Sequence, residues 1–516
     1  MKRRNRAWWL LTATAMVGAG GSSIAQAQDA RDTLRVAMYA KAVPRGNPYA
    51  IQNIWPSMYW WEAVFDSFVR VDENGRTVPF AVEKWELVNP TTWRLTFRKD
   101  LKFTTGRTND AANIVKVFDY LHTEKGLVTN IMQTVKFSSY KAVDTHTVEF
   151  VTATPDPLLV PKLAQFYVGD MQAFADLGPD GFSNRPAGSG PYRVTSWNDQ
   201  EMVATSSETS WRPGKIKNVR VVEIPEPASR LAALESAQMD VIINMGPDDV
   251  PRIRAAGHAA VIDPAPNVVS VALFTVDFPE KWKMGGKTPF SDKRVRQAIN
   301  YAVNREGIAK DFFKGIIKPA SQPATPSTYG YNKDLTPYPY DPAKAKQLLT
   351  EAGYGNGMSL LMEPIPANII GGREILQIVA EDLGKVGVKV EVVPLLFPAW
   401  SQLYNQKKWN GEMTSFSMIL APVMDAAVPF QATYGCNHQR TFTCIEELNS
   451  LVAAQATEMD RTKRLAILQE LMKKSNEEAL SLMMFEGIDV NGVAKRVQGF
   501  KNVHRVMHYD AMTFGG

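Results

Sequence analysis

The sequence is poor in the residues that most readily build metal and redox sites. Its 516 residues include two cysteines and six histidines. The histidines are scattered without an H-E-x-x-H pattern, and no C-x-x-C occurs, so zinc chemistry finds no support. Beyond the opening segment, no apolar run approaches the roughly 18 residues of a membrane-spanning helix. A strong excess of one charge is missing too. Lys2, Arg3, Arg4 and Arg6 belong to that opening segment; 58 basic residues less these four leaves 54, against 53 acidic ones. Such a balance offers no basic face, and nucleic acid is not an expected partner.

What is present at the start is a basic cluster, an apolar stretch from Ala7 to Ala19, and the small-residue triplet Ala25-Gln26-Ala27. This reads as a cleavable export signal over residues 1–27, with the mature chain exported and beginning near Gln28. Its apolar core is too short for an anchor, and no cysteine near the cleavage site offers a lipid attachment. The rest of the chain is long enough for about three domain-sized units, at roughly 150 residues each. In an oxidising compartment the close pair Cys436 and Cys444, in "CNHQRTFTC", reads as a local disulfide before it reads as a metal site.

The stretch "RPAGSGPYRVTSW", residues 185–197, poses the question of a phosphate loop. Such a loop needs backbone N–H groups and a lysine converging on the phosphates at a helix start. Here Gly190 is followed by Pro191, which has no N–H. Tyr192, Val194 and Ser196 then alternate with Arg193, Thr195 and Trp197, which is a strand pattern. The segment is a structural corner.

Elsewhere strands and helices interleave. "DTLRVAMYA" and "TTWRLTFRKDLKF" alternate as strands, and Ile114, Val117, Phe118 and Leu121 mark one face of a helix. Ser291 is placed to cap a helix with the apolar face Val295, Ala298, Ile299, Ala302 and Val303. Asp341 caps another, with Pro342 as its first residue and Gly353 as its stop. A helix over "ILQIVAEDLG" yields to a strand carrying Val388, Val390 and Val392. The class is therefore α/β with mixed sheets.

Several segments, in order, resemble the large periplasmic solute-binding proteins of ABC importers, the peptide/opine/nickel family known as family 5. They include "AVEKWELVNPTTWRLTFRKDLKFTTGRTNDAANIV", "GSGPYRVTSW", "TPFSDKRVRQAINYAVNR", "YPYDPAKAKQLLTEAGY", "VAEDLGKVGVKVEV" and the late cysteine pair. The resemblance implies a two-lobed periplasmic-binding-protein fold, a Venus-flytrap clamp with an extra subdomain inserted in the first lobe. On that template residues 28–65, 187–270 and 495–516 form the first lobe, 66–186 the inserted subdomain, and 271–494 the second lobe. It also implies a monomer that hands a small-molecule solute to an ABC permease driven by a separate ATPase. No cofactor or metal is implied.

The resemblance places solute contacts in the loop after the first strand and in the stretch before the cysteines. Tyr39, Arg45, Asn47 and Tyr49 offer a ring, a cation and amide groups, with an ordinary surface loop as the competing reading. Peptide-binding members carry a Trp-x-x-Asp-Tyr type segment whose acid meets the peptide's amino terminus. Here Met418 stands near the expected tryptophan and Ala421 near the expected acid, leaving Asp425, which is equally suited to capping a helix. A buried ammonium without a carboxylate is costly, so the expectation leans away from peptides and towards an opine, an oligosaccharide or a related compound. Trp400 and Tyr404 are candidate stacking platforms, with core packing as the alternative. Asn437 and Arg440 lie inside the disulfide loop, Arg440 being suited to a carboxylate or phosphate. His438 is the one histidine near this region, which argues against a metal chelate. An exported hydrolase is the competing class, but neither G-x-S-x-G nor H-E-x-x-H supplies a reacting group. A chaperone-like or receptor-presenting role shares the fold.

Overall fold

The computed structural model describes residues 32–50, 56–123, 126, 135–276, 287–365, 371–406, 408–434, 436 and 442–515. The expected export signal lies outside the described residues. Among the described residues, no helix is long and apolar enough to cross a membrane.

Ten strands form one mixed sheet, and two long strands, Ala259–Leu273 and Ser481–Val493, run antiparallel through its middle. On one side of them lie Val241–Met245, Thr33–Met38, Asn218–Glu223, Glu201–Ser206 and Tyr192–Trp197. On the other lie Met413–Ile419, Met358–Met362 and Val388–Val392. Thr33–Met38 is parallel to both of its neighbours, and almost every side chain along it is buried. A central parallel strand is covered on both faces, so Thr33 and Ala37 are buried along with Leu34, Val36 and Met38, and Arg35 is half-buried. Pairing directions make the carboxyl end of Thr33–Met38 and that of Met358–Met362 point towards each other across the long strands.

The apolar core is divided in the same way. One cluster gathers residues from Leu34 to Ile253 and is rejoined by Val490 to Met512 at the end of the chain. Another is built from Val269, Val271 and the helices and strands that follow, as far as Phe485. The fold is thus the two-lobed α/β architecture. A separate four-stranded antiparallel sheet, Val82–Asn89, Thr92–Phe97, Thr147–Thr152 and Phe137–Ala142, stands beside the first wing and packs on the helix Ala111–Leu121.

Local signals translate directly. Asp341 accepts the Lys344 N–H and opens the helix Pro342–Glu351, and Gly353 leaves it with φ +91°. Asp110 caps Ala111–Leu121, whose buried face is Ala111, Ile114, Val117, Phe118 and Leu121. One cap moves by a residue. Asp292, not Ser291, accepts the Arg294 N–H and opens Lys293–Ala302, because Ser291 is taken into a preceding 3-10 turn capped by Thr288.

The Gly-Pro corner returns the chain to the large sheet. The N–H groups of Gly190 and Tyr192 donate to the carbonyls of Val64 and Ala63, each at 2.9 Å. A bulge between Val194 and Ser196 then lets both Tyr192 and Trp197 turn inward, which strict alternation would forbid. Gly190 is needed for close approach: a methyl there would lie 2.5 Å from the Val64 carbonyl carbon and 2.6 Å from the Phe65 nitrogen. Gly190→Ala is expected to cost about 1–3 kcal/mol in urea unfolding, as overpacking against backbone does. Gly384→Ala, a helical position with open space around it, should cost nothing.

Candidate functional site

The two long strands do not pair without interruption. Pro264 faces Ile488 and Val268 faces Glu486, so Ala265, Pro266 and Asn267 stand opposite Gly487 alone. The prolines have no ladder N–H to give. Gly487 is required because a Cβ there would lie 2.2 Å from the Asn267 Oδ1. At this break a cavity of about 770 Å³ opens between the two wings. Its floor is Val261–Pro264 with Glu486–Ile488; one wall holds Glu73, Asn74 and the segment Phe500–His504, the other Ile316, Lys318, Pro326 and Ser327. The volume is that of a small-molecule site.

The walls carry charge of both signs on an apolar body. Asp263 and Asp489 are direct partners across the strands, so their side chains share a face. Asp489 is neutralised by Arg505, whose Nη2 and Nε reach its two oxygens at 2.9 and 3.0 Å. Among the described residues Asp263 has no such partner: its Oδ2 is shielded from solvent and accepts no hydrogen bond. Burial, and secondarily the Asp489 charge, pushes the Asp263 carboxyl up to about 6. Burial also raises Glu486, with the Lys318 ammonium opposing it. Lys501 stands 3.7 Å from Glu73, an exposed pair of small energetic weight.

His504 and Arg505 occupy the turn between Asn502–Val503 and Val506–Met507, with φ of +48° and +69°. Two successive positive φ values ordinarily call for Asn-Gly. Here a histidine and an arginine hold them, which marks a position maintained against backbone preference. The His504 Nε2 lies 3.0 Å from the Asp72 carbonyl oxygen, so it carries the proton. Its Nδ1 is left bare, buried and unpartnered. Burial lowers the affinity of this ring for a second proton.

Of the residues singled out from sequence, Tyr39 lies in the field of the Arg505–Asp489 pair beside the cavity. It follows the first strand, between strands that diverge to either side, the topological switch point of an open α/β sheet. Burial raises its phenol. The rest of its loop turns away. Arg45 pairs with Asp199 at 2.5 Å, the Asn47 Oδ1 accepts the Tyr49 N–H, and Tyr49 is buried among Tyr120, Phe174 and Phe182. Of these three, Tyr49 is held by the inserted unit, which supplies Tyr120, Phe174 and Phe182.

The second expected stretch is also committed to packing. Trp400 is buried, donates from Nε1 to the Thr414 Oγ1 at 2.8 Å and stacks on Tyr404, in a cluster with Trp409, Phe274 and Phe442. Met418 lies in the core against Tyr434. Asp425 receives Arg464 on both oxygens, at 2.7 and 2.9 Å, with both side chains 4% exposed, and it also accepts the Ala427 N–H. It holds a helix pair to its neighbouring loop and has no free charge for an ammonium. Cys436 and Cys444 are joined as a disulfide with Cα atoms 4.6 Å apart. Asn437, His438 and Arg440 lie outside the described residues.

Reading the sequence by segment resemblance passed over Asp263, Glu486, Lys318 and His504. One signal was available. "VIDPAPNVVSVALF" places two prolines inside a strand that is otherwise long and apolar, and prolines there announce a break in pairing.

Two outcomes follow. Arg464→Met leaves the Asp425 carboxylate buried and unpaired, and should cost about 3–5 kcal/mol in chemical unfolding. For Asp263 the folded state binds its proton more tightly than the ordinary value of 3.8 and up to about 6. Native stability should therefore fall as pH rises through that window. Asp263→Asn should flatten the fall, as read from unfolding midpoints between about pH 4 and 7.

Comparison with known proteins agrees with this architecture. The family model described as bacterial extracellular solute-binding proteins, family 5 Middle, matches residues 76–440. Heme-binding protein A of Haemophilus influenzae is 26% identical over 385 residues, covering 69% of this chain and 68% of that protein. The dipeptide-binding protein of Escherichia coli is 24% identical over 384 residues, covering 70% and 69%. Among solved structures, HbpA2 from Haemophilus parasuis has a TM-score of 0.78 at 20% identity, covering 94% of this chain and 100% of that one. PBP AgaA with agropinic acid, from A. tumefaciens R10, has a TM-score of 0.74 at 19% identity, covering 94% and 99%. With a family model spanning well over half of its length, this chain belongs to the family 5 bacterial extracellular solute-binding proteins.

Proposed function

We propose that the protein captures a small zwitterionic solute, amino-acid-derived in the manner of an opine, and delivers it to the permease of an ABC importer. The observation that carries this reading is the cavity of about 770 Å³ at the break between the long strands, with acids and lysines set into apolar walls. The charged side chains on its walls, Glu73, Asp263, Glu486, Lys318 and Lys501, favour a charged solute over a neutral oligosaccharide. Relatives named for heme, dipeptide and glutathione binding, and a structural neighbour holding agropinic acid, are in keeping with a scaffold that changes its solute by changing its walls.

The working parts are assigned on the family template. The first lobe takes residues 28–65, 187–270 and 495–516, the inserted subdomain 66–186, and the second lobe 271–494. Supporting that division, the first apolar cluster is rejoined by the end of the chain. Residues 1–27 direct export, the mature protein is a periplasmic monomer, and it acts by binding, not catalysis. A solute bridging both walls favours the closed arrangement because it touches both lobes only there.

A thermal-shift panel of opines, di- and tripeptides and malto-oligosaccharides tests the reading. A true ligand at 100 times its dissociation constant should add about 2.7 kcal/mol of stability. Stabilisation by opines is the expected result. Stabilisation by the neutral sugars alone would overturn the proposal, and stabilisation by peptides alone would replace the opine with a peptide.

A further inference from the structure

We infer that Asp263 is the seat for a cationic, donor-rich group of the solute, an ammonium or a guanidinium, and that His504 accepts a hydrogen bond from the same solute. This rests on the cavity reading above and deepens it.

The argument is one of pairing. The cavity lining carries three acids, Glu73, Asp263 and Glu486. Glu73 has Lys501 beside it, and Glu486 has Lys318 in its field. Across the strands Asp489 has Arg505. Among the described residues, Asp263 alone of these acids has no cation of its own. Its Oδ2 is out of contact with solvent and accepts nothing. An uncompensated carboxylate in such a place is expensive unless something arrives to meet it.

A second, independent group points the same way. His504 is 6% exposed, lines the cavity, and spends its one N–H on the Asp72 carbonyl. Its Nδ1 is therefore a bare acceptor, and it has no partner. The turn that carries it is held in the left-handed region at both of its central residues. Among the described residues the lining thus carries unsatisfied acceptors on Asp263, His504 and Asn502 against one unsatisfied donor, the Asn502 Nδ2, so acceptors outnumber donors. Ammonium and guanidinium groups bring positive charge and several N–H donors together.

The position normally expected to meet an ammonium in peptide-binding relatives is closed here. Ala421 has no acid, and Asp425 is fully engaged by Arg464. Capture of a cation is accordingly transferred from the second-lobe loop to the broken strand. There a ligand would be met at the point about which the lobes move.

Calorimetry on the mature protein, with trialanine and N²-(1-carboxyethyl)-L-arginine as cationic probes and N-acetyl-trialanine as the probe without the cation, tests this. At least one cationic probe is expected to bind. Asp263→Asn should then weaken it by about 30-fold or more, the effect of removing one partner of a buried charge pair. Asp263→Glu should restore part of the loss, and the N-acetyl probe should bind poorly throughout. Thermal melts of Asp263→Asn should show no destabilisation, since the carboxylate has no partner to lose. Unchanged binding in Asp263→Asn, equal binding of the N-acetyl probe, or no binding by either cationic probe would overturn the inference. A Trp substitution at the exposed wall positions Asn74 and Pro326 separates the two readings. If it abolishes binding while Asp263→Asn does not, the cavity stands and the role of Asp263 falls. If it leaves binding intact, the cavity itself is the wrong site.

Discussion

Everything distinctive in this molecule depends on one break in backbone pairing. Two strands of unusual length connect the wings, and continuous pairing between them would lock those wings into one stiff sheet. Pro264 and Pro266 remove donors on one strand, while Gly487 lets Asn267 crowd in from the other. The ladder therefore fails at its midpoint and resumes on either side. That failure opens the cavity where the two wings meet.

Burying charged groups at such a joint requires strict pairing, because an unmatched charge away from water is costly. The molecule pairs nearly all of them. Arg464 holds Asp425, Arg505 holds Asp489, and Arg212 holds Asp66 and Asp510. Against that background Asp263 is an acid without a cation of its own, and the bare nitrogen of His504 accompanies it. They lie together on the lining of the one large cavity described, at the boundary between lobes, where a solute would supply what the protein leaves missing. Reading a site by what remains unsatisfied is more discriminating here than reading it by residue type. Aromatic and amide side chains that look suited to binding, such as Trp400, Tyr49 and Asn47, have their partners within the fold.

The same contrast runs through the segments between residues 39 and 49 and between 413 and 425. Both flank the junction, and topology does bring Tyr39 to the switch point of the first wing. Yet the inserted subdomain draws Tyr49 into its own apolar surface, and the helix Arg461–Glu477 claims Asp425 through Arg464. Their roles were settled by neighbours more than 30 residues away in the chain.

By itself the sequence determined what is local. Helix caps at Asp110 and Asp341, the alternation of strands, the proline after Gly190 and the proximity of the two cysteines act over a few residues, where propensity and sterics decide. Order along the chain was enough to identify the family, since its segments recur in a fixed succession. Only the tertiary structure decided which polar groups find partners. Asp263 meets Asp489 across more than two hundred residues, and His504 reaches back to Asp72 from the far end of the chain. Satisfaction of a buried group depends on everything packed around it, and no local pattern encodes which one is left open.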